Sequence, residues 1–305
     1  MNGEDHDLIL RVALSEDLSP ECLAAVEREA RELVSSGAFI DVTSDAIFGD
    51  ERGEARVVAK SGGIISGTQP FRRVYGLVDE GVEVSFPIGD GGEFRKGDAV
   101  AELKGRIGSI LKGERTALNF LGHLSGIATK VKSLVRLLEG SGVRILDTRK
   151  TLPGLRELEK RAVVHGGGAN HRMGLYDMVL IKDNHVDAAG SITEAVRRVR
   201  ARHGERYKIE VETRTVRDVQ EAIGCGVDRV MLDNMPDGMI ARAVRLAEKA
   251  RLGGGRVEIE VSGNMNAARI RKIRRLPVDF ISVGSITHSA AQSDFSMRLS
   301  LSGCG

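Results

Sequence analysis

Six basic residues form the first group whose types and spacing suit chemistry: Arg115, Arg149, Lys150, His171, Arg172 and Lys182. Four of them lie in two adjacent pairs, at 149–150 and 171–172. Arginine can donate two parallel hydrogen bonds to a carboxylate or phosphate, and lysine supplies a point charge. Each of these residues alone is best interpreted as a solvated surface charge, because exposed charge is the norm. Together they predict a pocket for a substrate with several anionic groups.

Two carboxylates, Glu212 and Asp233, form a second group at the ends of neighbouring predicted strands. Facing a basic pocket, they can hold a divalent cation or ribose hydroxyls, or stabilise a cationic, oxocarbenium-like centre. They can equally form ion pairs with neighbouring arginines and lysines. Their spacing alone leaves both interpretations open.

Two short turns that contain glycine form a third group: Ser262-Gly263, followed by 264–266, and Gly284-Ser285. Each precedes a predicted helix, where free backbone N–H groups bind phosphate. Motifs this short also occur as plain turns and helix caps. Their place after the last two predicted strands, where barrels bind phosphate, favours a phosphate site.

Four further features have weaker interpretations. The glycine run 166–168 predicts a mobile loop leading into 170–172, rather than a simple linker. His123 is predicted to be packed or on the surface, and His185 to support local structure. For His288 we favour no contact with substrate, although histidine has many roles.

A repeating pattern of short apolar strands and amphipathic helices positions the candidate residues. Strands are predicted at 143–146, 178–181, 208–211, 229–232, 257–261 and 280–283. Helices are predicted at 192–202, 216–223, 239–251 and 267–275. This alternation indicates parallel strands, and polar residues follow every strand, at the edge where active sites form. Because the segment is too short for eight strand–helix units, we expect a six-stranded or open arrangement.

The region before residue 140 has a different pattern. A helix is predicted over 7–36, and short strands separated by glycine-rich turns over 39–104. A long helix is predicted from Glu114 to a glycine cap at Gly140. A small β-rich unit therefore precedes the strand–helix region.

Composition excludes several functional classes. The chain has 305 residues, of which 41% are hydrophobic and 29% charged, as is typical of a globular protein. A net charge of +2 and 4% aromatic residues argue against nucleic-acid binding. The three cysteines are unpatterned, no apolar run could span a membrane, and the acidic start does not resemble a signal peptide. We expect a soluble cytoplasmic protein.

Several long motifs occur in a fixed order. They are ERTALN at 114–119, LSGIAT at 124–129, LDTRKTLPGLR at 146–156, GGGANHR at 166–172 and LIKDNH at 180–185, with shorter motifs at 210–212, 232–234, 261–264 and 282–284. With these motifs the chain resembles the quinolinate phosphoribosyltransferases, also called nicotinate-nucleotide pyrophosphorylases (carboxylating). Because the motifs are long and ordered, the resemblance is highly specific.

The resemblance implies a type II phosphoribosyltransferase with an α/β fold. The implied domains are an N-terminal open-faced α/β sandwich (1–115), completed by the C-terminal tail (289–305), and an incomplete, six-stranded α/β barrel (116–288). The implied reaction joins quinolinate to phosphoribosyl pyrophosphate with decarboxylation, giving nicotinate mononucleotide, pyrophosphate and CO2 for NAD biosynthesis. Mg2+ is the implied cofactor. The implied assembly is a homodimer, or a higher oligomer, with active sites shared between subunits.

The resemblance also implies a role for each candidate residue. The residues implied to hold the quinolinate carboxylates are Arg149, His171 and Arg172, with Arg115 from the neighbouring subunit. The residues implied to surround the 5′-phosphate are Ser262, Gly263, Gly284 and Ser285. The implied catalytic residues are Lys150 and Lys182, beside the pyrophosphate and substrate, and Glu212 and Asp233, which face the ribose and Mg2+ directly or indirectly.

Two departures from the family pattern concern the N-terminal packing and the phosphate turn. The link from 16–18 to 41–44 is extended by residues 19–40, which leaves the N-terminal packing and the dimer edge open. Ser285-Ile286-Thr287 replaces the more usual Ala-Leu-Thr. These are small or apolar exchanges, so we expect phosphate binding to survive.

Two other functions compete with this interpretation. The first is a related transferase with another substrate, either nicotinate phosphoribosyltransferase or the molybdenum-associated relative of the family. Lys182 and the doubled arginine set favour the quinolinate enzyme. The second is a non-catalytic sensor of phosphate ligands, against which the simultaneous presence of Glu212, Asp233 and all the basic residues argues.

Overall fold

A computed structural model of the protein describes residues 7–19, 21–22, 24–26 and 39–301. It contains an antiparallel four-stranded sheet, a parallel six-stranded sheet and a small two-stranded sheet. Helix α1 (Asp7–Leu18) and helix α2 (Ser44–Ile47) precede these sheets. The α/β fold class predicted from the sequence is therefore confirmed.

The antiparallel sheet forms the first unit. Its strands are β1 (Arg52–Ala59), β3 (Glu83–Ser85), β5 (Ala99–Arg106) and β12 (Phe295–Leu301), with β2 (Gly63–Ile64) paired to β4 (Glu93–Phe94) beside it. The strand order is β12-β1-β5-β3. Alternate residues of β1 are buried, as expected for a strand with one face on a core and one face exposed.

Two helices cover only one face of this sheet. Phe71 and Tyr75 of helix α3 (Thr68–Val78) pack with the buried strand residues and with helix α4 (Ile107–Val135). The opposite face carries exposed ion pairs, such as the one between Arg56 and Glu102. The unit is therefore an open-faced α/β sandwich.

Helix α4 connects the two hydrophobic cores of the protein. Its first half contributes Ile110 and Leu121 to the core of the sandwich, and its second half contributes Ile127 and Val131 to the core around the parallel sheet. The helix begins at Ile107, seven residues before the predicted start, because the chain passes into it directly from β5. Although α4 has 29 residues, no helix in the described ranges is both long and apolar enough to span a membrane.

The parallel sheet contains all six strands that the sequence predicts. They are β6 (Arg144–Leu146), β7 (Val179–Ile181), β8 (Ile209–Thr213), β9 (Arg229–Asp233), β10 (Glu258–Ser262) and β11 (Phe280–Ser282). The strand order is β6-β11-β10-β9-β8-β7. Because β6 and β7 are the two edges of the sheet, the barrel formed by the described residues is incomplete.

Helices pack on the outer face and around the carboxyl end of this sheet. They are α5 (Arg156–His165), α6 (Asp183–Ala189), α7 (Ile192–His203), α8 (Val216–Gly224), α9 (Asp237–Leu252), α10 (Ala267–Ile273) and α11 (Ser285–His288). Helix α5 was not predicted from the sequence, because its buried side chains include Arg156, Glu159 and Lys160. Buried charge conceals the apolar periodicity by which helices are recognised.

The predicted N-terminal helix is only partly accounted for. Helix α1 ends at Leu18, and residues 21–22 and 24–26 are also helical. Residues 20, 23 and 27–36 of the predicted range lie outside the described residues.

The C-terminal segment returns from the barrel to the sandwich across α4. Strand β12 pairs with β1, so that Met297 lies opposite Val57. On the way, Ser293 donates its backbone N–H to the Gly122 carbonyl at 2.9 Å. A Cβ atom on Gly126 would overlap the Ala291 carbonyl oxygen. The close crossing therefore requires a residue without a side chain at 126.

We expect Gly126→Ala to lower the free energy of unfolding by about 1–3 kcal/mol, because the added methyl group displaces the crossing backbone. Gly108→Ala in the same helix is the control, since a Cβ there meets no atom within 4 Å. It should change the free energy of unfolding by less than about 1 kcal/mol. Chemical denaturation of both variants makes the comparison, and equal effects would contradict the packing argument.

Candidate active site

The carboxyl ends of the parallel strands surround a cavity of ≈ 920 Å³. The predicted site residues that line it are Arg149, Lys150, His171, Arg172, Lys182, Glu212, Asp233, Ser262, Gly263, Gly284 and Ser285. Arg115 is the exception, because it lies exposed on α4 and is not part of the cavity wall. The fold thus brings together all the predicted residues but one.

Side-chain alternation along the strands gives the sheet two different faces. Apolar residues such as Val211 and Val230 point outward into the core with the helices. Residues at the alternate positions of β8, β9 and β10, including Glu212, Asp233 and Ser262, face the cavity. The inner face at this end of the sheet is therefore polar, whereas barrel interiors are commonly filled by branched apolar side chains.

A buried ion pair fixes the loop that carries two of the basic residues. The Lys160 ammonium group contacts the Asp147 carboxylate, and both side chains are fully buried. The backbone N–H of His171 donates to Asp147 Oδ1 at 2.8 Å, and Lys160 Nζ donates to the His171 carbonyl at 3.0 Å. Burial raises the pKa of Asp147 and lowers that of Lys160, while their opposite charges counteract both shifts. The pair holds His171 and Arg172 beside the end of β6.

The side chain of His171 reaches the floor of the cavity. Its Nδ1 accepts a hydrogen bond from the Arg172 backbone N–H at 2.7 Å, so a neutral imidazole carries its proton on Nε2. That Nε2 lies 3.0 Å from a carboxylate oxygen of Glu210 and 3.5 Å from one of Glu260. Arg229 contacts the same Glu260 oxygen at 3.1 Å.

Burial and neighbouring charges shift the pKa values of this floor cluster. Burial raises the pKa of Glu210 to about 7, and burial together with the charge of Glu210 does the same for Glu260. Burial lowers the pKa of His171. The three side chains are close enough to share a cation, but Arg229 already supplies positive charge beside them. The raised carboxyl pKa values and the charge of Arg229 both reduce the net negative charge of the cluster.

Glu212 and Asp233 face the cavity from neighbouring strands. Over the residues that the structure describes, neither carboxylate forms an ion pair, so the interpretation as ion-paired residues is not supported. Burial raises the pKa of Glu212, and the negative charge of Asp233 raises it further, against the opposing effects of Lys182 and Lys150. Two hard oxygen donors that repel each other across a cavity suit a divalent cation.

The turn after β10 has a conformation that depends on specific residues. Gly263 has φ +90°, and a Cβ there would overlap the Asn234 side chain. Asn234 and Asn264 also adopt positive φ values, 51° and 49°, and Asn264 Nδ2 donates to Asn234 Oδ1 at 3.1 Å. Such backbone conformations occur frequently at ligand sites.

The turn after β11 is joined to the loop after β6. Thr287 Oγ1 donates to the Lys150 carbonyl at 2.7 Å, and a Cβ on Gly284 would lie 3.1 Å from Lys150 Cδ. The helices that follow the two turns, α10 and α11, have only seven and four residues. The turn backbones, rather than long helices, therefore form this wall of the cavity.

The packing of the glycine run 166–168 bears on the prediction that this run forms a mobile loop. Gly166 is buried, and a Cβ there would lie 2.5 Å from the Ala128 carbonyl oxygen and 2.7 Å from Val131 Cβ. The prediction of a mobile loop is wrong at this position, because glycine is needed where the end of α5 lies directly on α4.

The predictions for His123, His185 and His288 have different outcomes. His123 Nε2 lies 2.7 Å from a Glu159 oxygen, and His185 Nδ1 accepts from the Lys182 backbone N–H at 2.9 Å, which confirms both structural predictions. His288 lines the cavity, a position that the sequence analysis did not favour.

Several residues of the site were not identified from the sequence. Glu210, Arg229 and Glu260 form the floor, and Asn234 and Asn264 shape a turn. For Glu210 and Glu260 a signal was present, since charged residues alternate with apolar ones at 210 and 212 and at 258 and 260. That alternation predicts a polar inner face.

Comparison with known proteins identifies the family. Residues 41–125 match the N-terminal domain of quinolinate phosphoribosyl transferase, and residues 127–298 match its C-terminal domain. The chain belongs to the quinolinate phosphoribosyltransferase family.

Individual family members are similar over most of their length. The probable nicotinate-nucleotide pyrophosphorylase (carboxylating) of Bacillus subtilis is 42% identical over 262 residues, which cover 86% of this chain and 89% of that protein. The protein of the same name from Synechocystis is 43% identical over 248 residues, covering 81% and 83%. The crystal structure of NadC from Streptococcus pyogenes has a TM-score of 0.81 at 37% identity and covers 99% of this chain and 98% of that one.

We expect Lys160→Met to lower the free energy of unfolding by about 3–5 kcal/mol, because it leaves Asp147 buried without a counter-charge. Lys130→Met is the matched control, since Lys130 is exposed on α4. It should change the free energy of unfolding by less than about 0.5 kcal/mol. Chemical denaturation measures both, and a small effect at Lys160 would show that the ion pair does not stabilise the fold.

Proposed function

We propose that this chain transfers the phosphoribosyl group of phosphoribosyl pyrophosphate to quinolinate with loss of CO2, giving nicotinate mononucleotide and pyrophosphate in NAD biosynthesis. One observation carries the proposal: five of the six basic residues and both carboxylates line a single cavity of ≈ 920 Å³. Family membership supports the same reaction, for which the Bacillus relative is named.

We assign the quinolinate subsite to Arg149, His171 and Arg172. Quinolinate carries two carboxylates next to each other on its ring, which explains a dense basic pocket in a nearly neutral protein. Burial, followed by the charge of Arg149, lowers the pKa of Arg172, so the two guanidinium groups repel each other across the pocket. A bound dianion would relieve that repulsion.

We assign phosphoribosyl pyrophosphate to the other walls of the cavity. The 5′-phosphate faces the turns that contain Gly263 and Gly284, with their neighbours Ser262 and Ser285. The pyrophosphate lies beside the two lysines, Lys150 and Lys182, because compact ammonium groups suit phosphate oxygens. The ribose lies between these groups and faces Glu212 and Asp233.

The donor set of Glu212 and Asp233 fits Mg2+. Both residues present hard carboxylate oxygens to the cavity, and the charge of one destabilises the ionised form of the other. When bound, Mg2+ neutralises charge on the leaving pyrophosphate. Glu212 and Asp233 would hold the ion directly or through water.

The chain's own residues suit both chemical stages. In the first, the ring nitrogen bonds to the anomeric carbon as the bond to pyrophosphate breaks. The carboxylates stabilise positive charge on the ribose, and Lys150 and Lys182 stabilise the leaving group. In the second, CO2 leaves the ring carbon next to the alkylated nitrogen, and the cationic ring accepts the electron pair of the broken bond. That ring carbon then takes a proton. The protein mainly keeps the reactants aligned and water excluded.

We propose that the active site is shared in a homodimer or a larger assembly. Arg115 is the predicted substrate-binding residue that lies outside its own cavity, exposed on α4. A second copy of the chain would bring Arg115 to the cavity, as the family resemblance implies.

A cytoplasmic location is part of the proposal, since Cys22 and Cys225, the two cysteines among the described residues, are free thiols. The alternatives are a transferase that acts on another acceptor and a sensor that binds without turnover. Lys182 and the paired arginines Arg149 and Arg172 favour the quinolinate enzyme over the first alternative. The presence of Glu212 and Asp233 beside the basic residues favours it over the second.

The decisive assay follows nicotinate mononucleotide and pyrophosphate from quinolinate, phosphoribosyl pyrophosphate and Mg2+, with nicotinate as a parallel substrate. Turnover of quinolinate but not nicotinate is expected. Lys182→Met should lower kcat/KM by about 10²-fold or more, because it removes charge beside the leaving group. Lys249→Met is the control, since Lys249 is exposed on α9, outside the cavity wall.

The possible failures of this assay have distinct meanings. Turnover of nicotinate alone would identify a transferase of different specificity. Binding of phosphoribosyl pyrophosphate without release of pyrophosphate would support the sensor. Equal loss in the Lys182 and Lys249 variants would remove Lys182 from the site.

A shared site predicts complementation between two inactive variants. Arg115→Ala and Lys182→Ala subunits, mixed after dissociation, should recover activity, because one site of each hybrid dimer is then intact. Random mixing restores about a quarter of the sites. Activity measured before and after mixing makes the test, and no recovery from hybrids detected by mass spectrometry would contradict a shared site.

A further inference from the structure

The end of helix α1 contacts the quinolinate side of the cavity. The Asp17 carboxylate accepts hydrogen bonds from Arg149 Nε at 2.7 Å and Arg149 Nη2 at 2.6 Å. This is the two-bonded geometry that planar guanidinium and carboxylate groups favour. Asp17 Oδ1 also accepts from Arg156 Nη1 at 2.7 Å. One carboxylate therefore holds two arginines, of which Arg149 lines the cavity.

Contacts independent of this interaction fix the position of Asp17. The buried Glu16 side chain accepts from the backbone N–H of Gly154 at 2.8 Å and of Arg156 at 2.9 Å. The Asp17 carbonyl accepts from the Leu175 backbone N–H at 2.9 Å. The end of α1 is thus anchored to the loops on both sides of the subsite. These contacts fix the position of Asp17 relative to Arg149.

The interaction leaves a defined part of Arg149 for substrate. Asp17 occupies the edge formed by Nε and Nη2, so Nη1 and the second proton of Nη2 remain to bind a carboxylate. The side chains are only 27% exposed for Arg149 and 21% for Asp17. Partial burial makes such a pair stronger than an exposed surface ion pair.

The negative charge of Asp17 also reduces the repulsion between the two arginines of the quinolinate subsite. Arg149 and Arg172 carry like charges that face the same cavity. The negative charge of Asp17 favours the charged form of Arg172, which opposes the effect of Arg149. Asp17 therefore lowers the cost of holding two guanidinium groups together before the substrate arrives.

We propose that Asp17 is a positioning residue of the quinolinate subsite, which fixes Arg149 with its Nη1 edge toward the substrate carboxylate. The inference rests on the proposed function, because it assigns Arg149 to quinolinate. It adds a residue of helix α1 to a site whose other residues come from the strand ends and the loops that follow them. The opposite role, a carboxylate that competes with substrate for Arg149, predicts the opposite effect of its removal.

The test measures quinolinate binding by calorimetry and steady-state kinetics on the full chain. Asp17→Asn should raise the Kd and KM for quinolinate by about 10-fold or more, because an amide cannot reproduce a charged two-bonded interaction. The KM for phosphoribosyl pyrophosphate should stay within about twofold, since that substrate contacts other walls. Asp17→Glu restores the charge and should recover part of the lost affinity.

Two control variants separate positioning from general effects. Glu194→Gln removes a similar interaction with Arg197 on an exposed face of α7 and should leave both KM values unchanged. Glu16→Gln weakens the anchoring of α1 without touching Arg149. A loss of quinolinate affinity in Glu16→Gln equal to that in Asp17→Asn would overturn the proposal, because helix docking would explain both.

Other outcomes also decide the question. Unchanged or tighter quinolinate binding by Asp17→Asn would overturn the proposal, and tighter binding would identify Asp17 as a competitor. If Asp17→Asn does not fold, Asp17→Ser removes the same carboxylate and is judged by the same criteria. Wild-type turnover of quinolinate tests the proposed function, whereas the ratio of variant to wild type tests this inference alone.

Discussion

Repulsion between neighbouring cations is the constraint on which this site depends. The cavity collects arginines, lysines and a histidine from separate loops, and each would be driven toward water if it stood without a counter-charge. Three sets of carboxylates counter that tendency. Asp147 binds Lys160, Glu210 and Glu260 lie below His171, and Asp17 holds Arg149. Positive charge can therefore remain directed at the ligand.

Side-chain alternation along the parallel strands separates the residues that pack in the core from the residues that face the cavity. Outward residues of the parallel strands form a continuous apolar core with the helices, while inward residues near the carboxyl ends are polar. Stability and function are thus carried by alternate positions of the same strands. An exchange at Val230 acts on the core, whereas one at Asp233 acts on the cavity.

The elements outside the barrel have functional as well as structural roles. Helix α4 contributes to both hydrophobic cores, and the glycines at 122 and 126 allow the C-terminal segment to cross it and complete the sandwich. The same helix exposes Arg115 away from its own cavity. Helix α1 reaches the opposite side of the site through Glu16 and Asp17. Segments at both ends of the described chain therefore pack against α4 or against the loops beside the cavity.

The sequence by itself determined the strand–helix alternation and the residues that follow each strand, because periodicity and turn residues are local properties. It therefore predicted the six parallel strands and most of the cavity wall, with motif resemblance supplying the reaction. Only the tertiary structure decided what lies next to those residues. The floor formed by Glu210, Arg229 and Glu260, the packed glycine at 166, and the contact of Asp17 with Arg149 join residues far apart in the chain. No local pattern encodes such contacts, since they depend on how distant segments pack.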